Sequence, residues 1–262
     1  MNKTGIEYLD YTWNPTHGCS RISVGCVNCW AEEMSKRLAA MDVPGYNRQD
    51  PFKVTFHPDR LDEPFKRKKP ARIGVSFMGD LFHPLVAVES IRLIFNIMMI
   101  SDHTFFILTK RPARMVKVLN LIFEEWTFED MDNIWFGVTA ENQQQADNRI
   151  PILLKLPVKN HWVSVEPMLG PIDLYQYLIC ESCLDPKVCW CRDPRLNWVV
   201  CGSESGPGAR PMDIEWVKSL KGQCKRADNI PFMFKQMIKA GKKISAPKLN
   251  GKSYMEMPHE NN

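Results

Sequence analysis

Short apolar runs alternate along the chain with longer segments in which apolar residues recur at helical spacing. Runs rich in β-branched and aromatic residues predict strands at Tyr8–Trp13, Arg72–Phe77, Thr104–Thr109, Asn133–Val138, His161–Val165, Asn197–Cys201 and Pro231–Lys235. Helices are predicted near Asn28–Met41, Val86–Ile100, Ala113–Trp126, Gln143–Leu156 and Asp213–Ala227, with a shorter helix after Asp173. The last long helix has the clearest period, because Ile214, Val217, Leu220 and Cys224 form one stripe.

Strands that alternate with crossover helices predict an α/β fold with a parallel sheet. We expect a partial or nearly closed parallel (β/α) barrel of six to seven units, with a Cys-rich insertion before strand six at about 180–195. An open doubly wound sheet is the alternative, because periodicity does not separate the two. No linker rich in Gly, Ser or Pro interrupts the pattern, so residues 1–262 are predicted to form a single domain.

Polar residues follow six of the predicted strands, and in a parallel barrel these strand ends share one rim. They are Asp80, Lys110-Arg111, Glu141-Asn142, Glu166, Glu204 and Lys235. Any one of them is explained equally well as a helix cap or a surface charge. Together they predict a polar ligand site, since carboxylates crowded on one rim repel unless they bind something. Gly79, Gly202 and Gly206 would let backbone donors approach a ligand closely, and Glu166, Glu204 and Lys235 are the candidate catalytic residues.

Composition and charge narrow the class of protein. The chain is 44% hydrophobic and 24% charged, as is typical of a globular protein, and its net charge of +4 permits nucleic acid as a partner without arguing for it. Its longest apolar stretch, Leu93–Ile100, is far shorter than the roughly 18 residues that a membrane span needs. The first residues lack the apolar region of a signal peptide. We therefore expect a cytoplasmic protein with no membrane partner.

Seven of the nine cysteines fall into two clusters, which in a reducing compartment suggests metal ligation or redox chemistry. Cys19, Cys26 and Cys29 lie between the first strand and the first helix. Three thiolates suit a [4Fe–4S] cluster whose fourth iron is open to a substrate. Zinc with His17 as a fourth ligand, or three unrelated buried cysteines, are the alternatives. Cys201 and Cys224 stand apart and are predicted to be small buried apolar residues.

The second cluster has the spacing C-x2-C-x5-C-x-C and consists of Cys180, Cys183, Cys189 and Cys191. Four closely spaced thiols fit a structural zinc site. An auxiliary iron–sulfur cluster and four free thiols are the alternatives.

Several segments carry a resemblance to a known family, and together they cover nearly the whole chain. They are Thr12-Trp13-Asn14-Pro15, the cysteine loop, Met78-Gly79-Asp80-Leu81-Phe82, Leu108-Thr109-Lys110-Arg111-Pro112, Gly137-Val138-Thr139-Ala140-Glu141-Asn142, Ser164-Val165-Glu166-Pro167 and residues 202–211. The chain resembles the radical SAM superfamily, and more closely a phage-associated branch with a three-cysteine motif. Two features depart from the usual superfamily motif. Six residues instead of three separate Cys19 from Cys26, and Asn28 replaces the aromatic residue before the third cysteine.

The resemblance implies the cofactors and their ligands. Cys19, Cys26 and Cys29 would hold three irons, and S-adenosylmethionine (SAM) would chelate the fourth. Gly79 and Asp80 would receive the methionine amino group. Glu141 and Asn142 fall where ribose contacts usually lie. Glu166 and the segment from Gly202 to Gly206 would line the adenosine or the substrate.

Three functions are consistent with these sequence features. The leading one is a radical SAM-type enzyme that takes electrons from a reductase or flavodoxin-type donor and modifies an unknown substrate, with nucleic acid or a nucleotide as a candidate. The second is a non-catalytic metal-binding protein that binds nucleic acid or a partner protein. The third is a zinc-dependent hydrolase or deaminase, which would need a His-x-Glu paired with Pro-Cys-x-x-Cys, and the chain lacks that pairing.

Overall fold

A computed structural model of the chain describes residues 1–123, 128–180, 194–206 and 208–258. The fold is mixed α/β with a large, mostly parallel sheet. The contacts divide the chain into two compact units, residues 1–136 (unit 1) and 137–262 (unit 2), and the division falls inside one strand. Each unit is described by itself.

Unit 1 has a sheet in the order β1-β2-β5-β6, followed by the start of β7. Its strands are β1 (Asn2–Lys3), β2 (Tyr11–Trp13), β3 (Thr16–His17), β4 (Thr55–Phe56), β5 (Arg72–Val75), β6 (Thr104–Thr109) and the first half of β7 (Ile134–Thr139); its helices are α1 (Trp30–Ala40), α2 (Val88–Met99) and α3 (Pro112–Ile122). β2, β5 and β6 are parallel, whereas β1 is antiparallel to β2, and β3 and β4 form a separate two-stranded sheet.

The hydrophobic core of unit 1 is rich in aromatic side chains because both faces of β6 and one face of α2 are buried. Phe105 and Phe106 of β6 are buried, and so are Ile94 and Phe95 on one face of α2. The Phe95 ring stacks on Phe136 at 6.1 Å. The parallel pairing of Val75 with Ile107 places the carboxyl ends of β5 and β6 beside each other.

Unit 2 has a sheet in the order β7-β8-β9-β10-β11. Its further elements are β8 (His161–Val165), β9 (Trp198–Gly202), β10 (Phe232–Lys239), β11 (Lys242–Ser245), β12 (Lys248–Leu249), β13 (Lys252–Ser253), α4 (Gln143–Leu153), α5 (Tyr175–Leu178) and α6 (Ile214–Arg226). β8, β9 and β10 are parallel, while β10–β11 and β12–β13 are antiparallel hairpins. Every residue of β8 and β9 is buried, as expected of parallel strands that are covered on both faces.

The predicted elements agree with the structure where the sequence is apolar. All seven predicted strands are present as β2 and β5 to β10, with ends shifted by up to four residues. The helix that was predicted to reach Trp126 ends at Ile122 in the described residues, and the short helix after Asp173 is α5. Cys201 and Cys224 are buried, which confirms that prediction. The hairpin strands β11, β12 and β13 were not predicted.

The second cysteine cluster is only partly among the described residues. Cys183, Cys189 and Cys191 lie outside the described residues, whereas Cys180 is described and buried.

In the described residues, no helix is both long and apolar enough to cross a membrane.

Candidate functional site

The cysteine loop, residues 17–30, joins β3 to α1 in unit 1. Its start lies on the carboxyl end of β5: the Gly18 amide donates to the Met78 carbonyl at 3.0 Å, and Gly18 bridges to Gly79. A Cβ on Gly79 would lie 2.5 Å from the Gly18 carbonyl oxygen, closer than such atoms approach. Gly79 therefore allows the loop to lie directly on the strand end, and this explains a glycine here without any ligand.

The thiols of Cys19, Cys26 and Cys29 are all partly buried. Cys26 ends a single 3₁₀ turn, and Cys29 immediately precedes α1. Burial raises the pKa of the Cys26 thiol, but the Lys110 ammonium and hydrogen bonds within the loop outweigh burial, so that this pKa lies below its ordinary value. A thiol with a lowered pKa is favoured as a metal ligand, because the thiolate is the ligating form.

The loop supplies suitable metal ligands but does not hold them in a ligating arrangement. In the part of the chain that the structure describes, no three His, Cys, Asp or Glu side chains lie close enough to hold a metal ion. The donor chemistry nevertheless fits an iron–sulfur cluster, since three thiols belong to one short loop and thiolates are the usual ligands of such clusters. Binding a cluster would require the three sulfur atoms to move together.

Arg111, at the end of β6, contacts both the cysteine loop and Asp80. Its Nη1 donates to Cys19 Sγ at 3.2 Å and to Asp80 Oδ2 at 2.9 Å, and its Nη2 donates to the Ser20 carbonyl at 2.9 Å. The Arg111 and Asp80 side chains are only 9% and 6% exposed, so this ion pair is buried. Burial and the Asp80 carboxylate together raise the pKa of the Cys19 thiol, although Arg111 opposes them. The sequence analysis placed Arg111 among the polar residues at the strand ends but gave it no role of its own.

Asp80 accepts four hydrogen bonds within unit 1. Its Oδ1 accepts from the Phe82 amide at 3.0 Å and from Thr109 Oγ1 at 2.7 Å, and its Oδ2 accepts from the Lys110 amide at 3.2 Å and from Arg111. A carboxylate offers about four acceptor positions, so protein donors fill them all. A ligand amine would bind Asp80 only by replacing one of these donors.

His83 extends this group of polar side chains. Its Nδ1 accepts from the Leu85 amide at 3.2 Å, so the proton of the neutral ring is on Nε2, which lies 2.8 Å from Ser20 Oγ. Burial, followed by the charge of Arg111, lowers the pKa of His83. A neutral His83 therefore donates to the residue next to Cys19. The sequence analysis did not identify His83.

His17, the alternative zinc ligand, lies in a buried pair with His57. Its Nδ1 is 2.7 Å from His57 Nε2, and the two rings stack with centroids 4.9 Å apart. Burial, together with the charges of His57 and Arg60, lowers the pKa of His17 to about 4. One ring nitrogen of His17 is thus engaged by a second histidine. Among the described residues, His17 contacts no thiol.

Unit 2 contains the remaining predicted site residues, beginning with Glu141 and Asn142 after β7. Glu141 is fully buried and its Oε2 accepts from Arg149 Nη1 at 2.8 Å, while Arg149 also donates to the Thr139 carbonyl. The Asn142 side chain caps α4 by accepting from the Gln145 amide at 3.0 Å. Both predicted ribose contacts are therefore engaged in local structure.

Glu166, at the end of β8, pairs with Lys235 of β10. Lys235 Nζ lies 3.2 Å from each carboxylate oxygen, and Ser164 Oγ donates to Oε2 at 3.2 Å. Oε1 is buried and receives no hydrogen bond from the described residues. A Cβ on Gly202 would lie 2.6 Å from Oε1, so a glycine at this position leaves room for the carboxylate. Among the described residues, Oε1 of Glu166 therefore contacts the Lys235 ammonium as an ion-pair partner but accepts no hydrogen bond.

Glu204, in the loop after β9, pairs with Arg210. The amide and Nε of Arg210 donate to Glu204 Oε2 at 3.0 Å and 2.9 Å, and its Nη2 contacts Oε1. The Glu204 side chain is 3% exposed. Gly206, within the same loop, has φ of +97°, a conformation that favours glycine.

Each of the predicted site carboxylates has a cation of its own. The pairs are Asp80–Arg111 in unit 1, and Glu141–Arg149, Glu166–Lys235 and Glu204–Arg210 in unit 2. The expectation that crowded carboxylates need a bound ligand to relieve repulsion is therefore wrong, because internal cations balance their charge. Sequence reasoning located the carboxylates but missed Arg149 and Arg210, which follow their partners by eight and six residues.

Comparisons with known proteins give one family and one shared fold. A family model described as "Protein of unknown function (DUF5131)" matches residues 3–258. No curated protein matches the chain. A structure of spore photoproduct lyase complexed with dinucleoside spore photoproduct is 10% identical, with a TM-score of 0.51, and the match covers 86% of this chain and 75% of that one. A mutant of the same lyase gives a TM-score of 0.52 at the same identity and coverage.

Proposed function

We propose that this chain, which belongs to the DUF5131 family, is a radical SAM-type iron–sulfur enzyme. The supporting observation is the cysteine loop seated on the carboxyl end of β5, in a chain that shares its fold with spore photoproduct lyase, a radical SAM enzyme. Cys19, Cys26 and Cys29 would hold a [4Fe–4S] cluster, and SAM would bind its remaining iron. When bound and given one electron by a donor, these groups would cleave SAM to methionine and a deoxyadenosyl radical, which would remove a hydrogen atom from a substrate.

The residues of unit 1 would position the methionine end of SAM. We propose that Gly79 offers its backbone and that Asp80 exchanges one of its four donors for the amino group. Arg111 would hold the Cys19 sulfur and the Asp80 carboxylate at a fixed distance from each other, because it contacts both. A partly exposed loop on a rigid strand end is a suitable place for such a cofactor, since the strand ends do not move with the loop.

We also propose roles for residues of unit 2. On the resemblance, Glu141, Asn142, Gly202 and Gly206 are proposed to contact SAM. Glu166, Glu204 and Lys235 are proposed as catalytic residues. The strongest support within this group is the buried Oε1 of Glu166, which has a free acceptor position beside the Lys235 ammonium. A carboxylate and an ammonium in contact can hold or pass on a proton at Oε1.

The finer features of the fold and its partners are also proposals. We propose a partial or nearly closed barrel in one domain, and a structural zinc at Cys180, Cys183, Cys189 and Cys191. A reductase or flavodoxin-type electron donor would approach the cysteine loop, where Ile22, Val24 and Val27 are 47–51% exposed. Nucleic acid or a nucleotide is the proposed substrate class, because the similar lyase is described in complex with a dinucleoside photoproduct.

Anaerobic reconstitution with iron and sulfide tests this function. The protein should take up about four irons and, after reduction with dithionite, convert SAM to deoxyadenosine. Cys26→Ala should lose the iron, because removing one thiolate opens the cluster to dissociation. Cys224→Ala is the matched control: it removes a buried thiol of α6 and should keep the iron. A colourless protein with one zinc held by Cys19, Cys26 and Cys29 would contradict the proposal.

The second candidate is a non-catalytic metal-binding protein that binds nucleic acid or a partner protein. The filled acceptors of Asp80 and the paired state of Glu141 and Glu204 favour it, because an enzyme usually keeps its polar groups available to substrate. The same reconstitution separates the two. Cluster absorbance without any deoxyadenosine under reducing conditions would support the second candidate.

A further inference from the structure

Residues 235–253 contain a concentration of lysines, and the proposed site uses only the first of them, Lys235. Six of the 19 residues from Lys235 to Ser253 are lysine, and none is acidic. Lys235 pairs with Glu166, but Lys239, Lys242, Lys243, Lys248 and Lys252 are all exposed. We give the name lysine face to these five residues of the two hairpins. Lys239 and Lys242 lie directly opposite each other and so share one side of the first hairpin, whereas Lys243 lies on its other side.

Two tight hairpins carry the lysine face. The turn between β10 and β11 is Ala240-Gly241, and the turn between β12 and β13 is Asn250-Gly251; all four turn residues have positive φ, as a two-residue type I′ turn requires. Such turns match the twist of their strands and so keep the backbone of the flanking residues in register. The lysines next to the turns are therefore presented on ordered backbone.

The pairing of the lysines does not help the fold. Lys239 lies directly opposite Lys242, and like charges at directly opposite positions destabilise an antiparallel pair. Among the described residues, no carboxylate forms an ion pair with Lys239, Lys242 or Lys248. Lysines on an edge strand do protect it from pairing with other chains. That explains Lys242 and Lys243 of β11, but not the lysines of β12 and β13.

We propose that the lysine face binds the phosphate backbone of nucleic acid. Ammonium groups that repel one another are stabilised when phosphates approach, and each such contact releases counterions from the nucleic acid. An anionic membrane suits this surface less well, since membrane-binding segments also expose Trp, Phe or Leu. In the described hairpins Leu249 is buried, and Ile244 is the only exposed large apolar residue, at 38%. The inference rests on the proposed function only for the choice of nucleic acid as substrate class.

Salt-dependent binding of a fluorescent DNA duplex tests the proposal. The full-length protein should bind more weakly as salt rises, with a slope of log affinity against log salt of about −0.9 for each phosphate contact. Replacing two lysines of the face, K239Q/K242Q, should reduce that slope by about 1.8. The control K68Q/K69Q removes the same charge from two exposed lysines of unit 1 and should leave the slope unchanged.

Three outcomes would overturn the proposal. The first is an equal decrease of the slope in the two double variants, which would indicate an effect of net charge alone. The others are no binding of DNA by the wild type at low salt, and binding of phosphatidylserine vesicles in preference to DNA. Circular dichroism verifies that both variants fold. The measurement is made before and after reconstitution with iron and sulfide. DNA binding without any iron uptake would contradict the proposed cluster but support the proposed role of the lysine face. Iron uptake without DNA binding would support the cluster and contradict the role of the lysine face.

Discussion

Asp80 connects more of unit 1 than any other site residue described above. It joins the end of β5 to the end of β6, and through Arg111 it is joined to Cys19. Its hydrogen bonds come from two backbone amides and two side chains, so its position is determined without a ligand. Asp80 therefore supports the cysteine loop even if it also contacts a cofactor.

The Asp80→Asn variant should lower the free energy of unfolding of the iron-free protein by about 3 kcal/mol, because it leaves the Arg111 guanidinium buried without a counter-charge. Urea unfolding measures the change. The double variant Asp80→Asn, Arg111→Gln removes both charges and should recover part of the loss. A single variant as stable as the wild type would mean that water, and not Asp80, balances Arg111.

The positions of four carboxylates after strand ends could be predicted from the sequence, but the cations that pair with them could not. Polar residues at the ends of apolar strands identified Asp80, Glu141, Glu166 and Glu204, because strand ends follow from local patterns. Which cation each carboxylate pairs with depends on how loops and helices return to the sheet. Arg149 illustrates this, since it is on the buried face of α4, where an arginine is unexpected until its partner Glu141 is known.

At the scale of elements, the buried strands could be predicted from the sequence, whereas an exposed strand could not. β8 and β9 are completely buried, so their apolar runs were unambiguous. β11 is completely exposed, and its sequence Lys242-Lys243-Ile244-Ser245 has no apolar run. The signal for a hairpin was the dipeptide Asn250-Gly251, which favours a type I′ turn. Turn chemistry, and not hydrophobic pattern, was the information needed there.

The cap of α4 gives a prediction at this scale. Asn142→Ala should lower the free energy of unfolding by about 1 kcal/mol, because the Gln145 amide loses its acceptor. Asn142→Asp keeps an acceptor at the same place and should be nearly neutral. Urea unfolding of the iron-free protein distinguishes the capping role from the proposed ribose contact. If both variants kept wild-type stability and only SAM binding fell, Asn142 would act on the cofactor alone.

At the scale of the whole molecule, the question is whether the two compact units unfold as one domain. The sequence predicts one domain because no linker rich in Gly, Ser or Pro separates the units. The division falls inside β7, whose six residues are all buried. A boundary between independent domains usually falls in an exposed linker that few contacts cross. A single cooperative domain is therefore our expectation.

Hydrogen exchange measured by mass spectrometry tests this expectation with the Asp80→Asn variant. The substitution lies in unit 1, so a single cooperative domain would show lost protection in β8 and β9 of unit 2 as well as in β5 and β6. The most protected amides of both units should lose the same free energy, about 3 kcal/mol, because they exchange only through global unfolding. Faster exchange in unit 1 with wild-type protection in β8 and β9 would show that the units are separate domains, and the single-domain prediction would then fail.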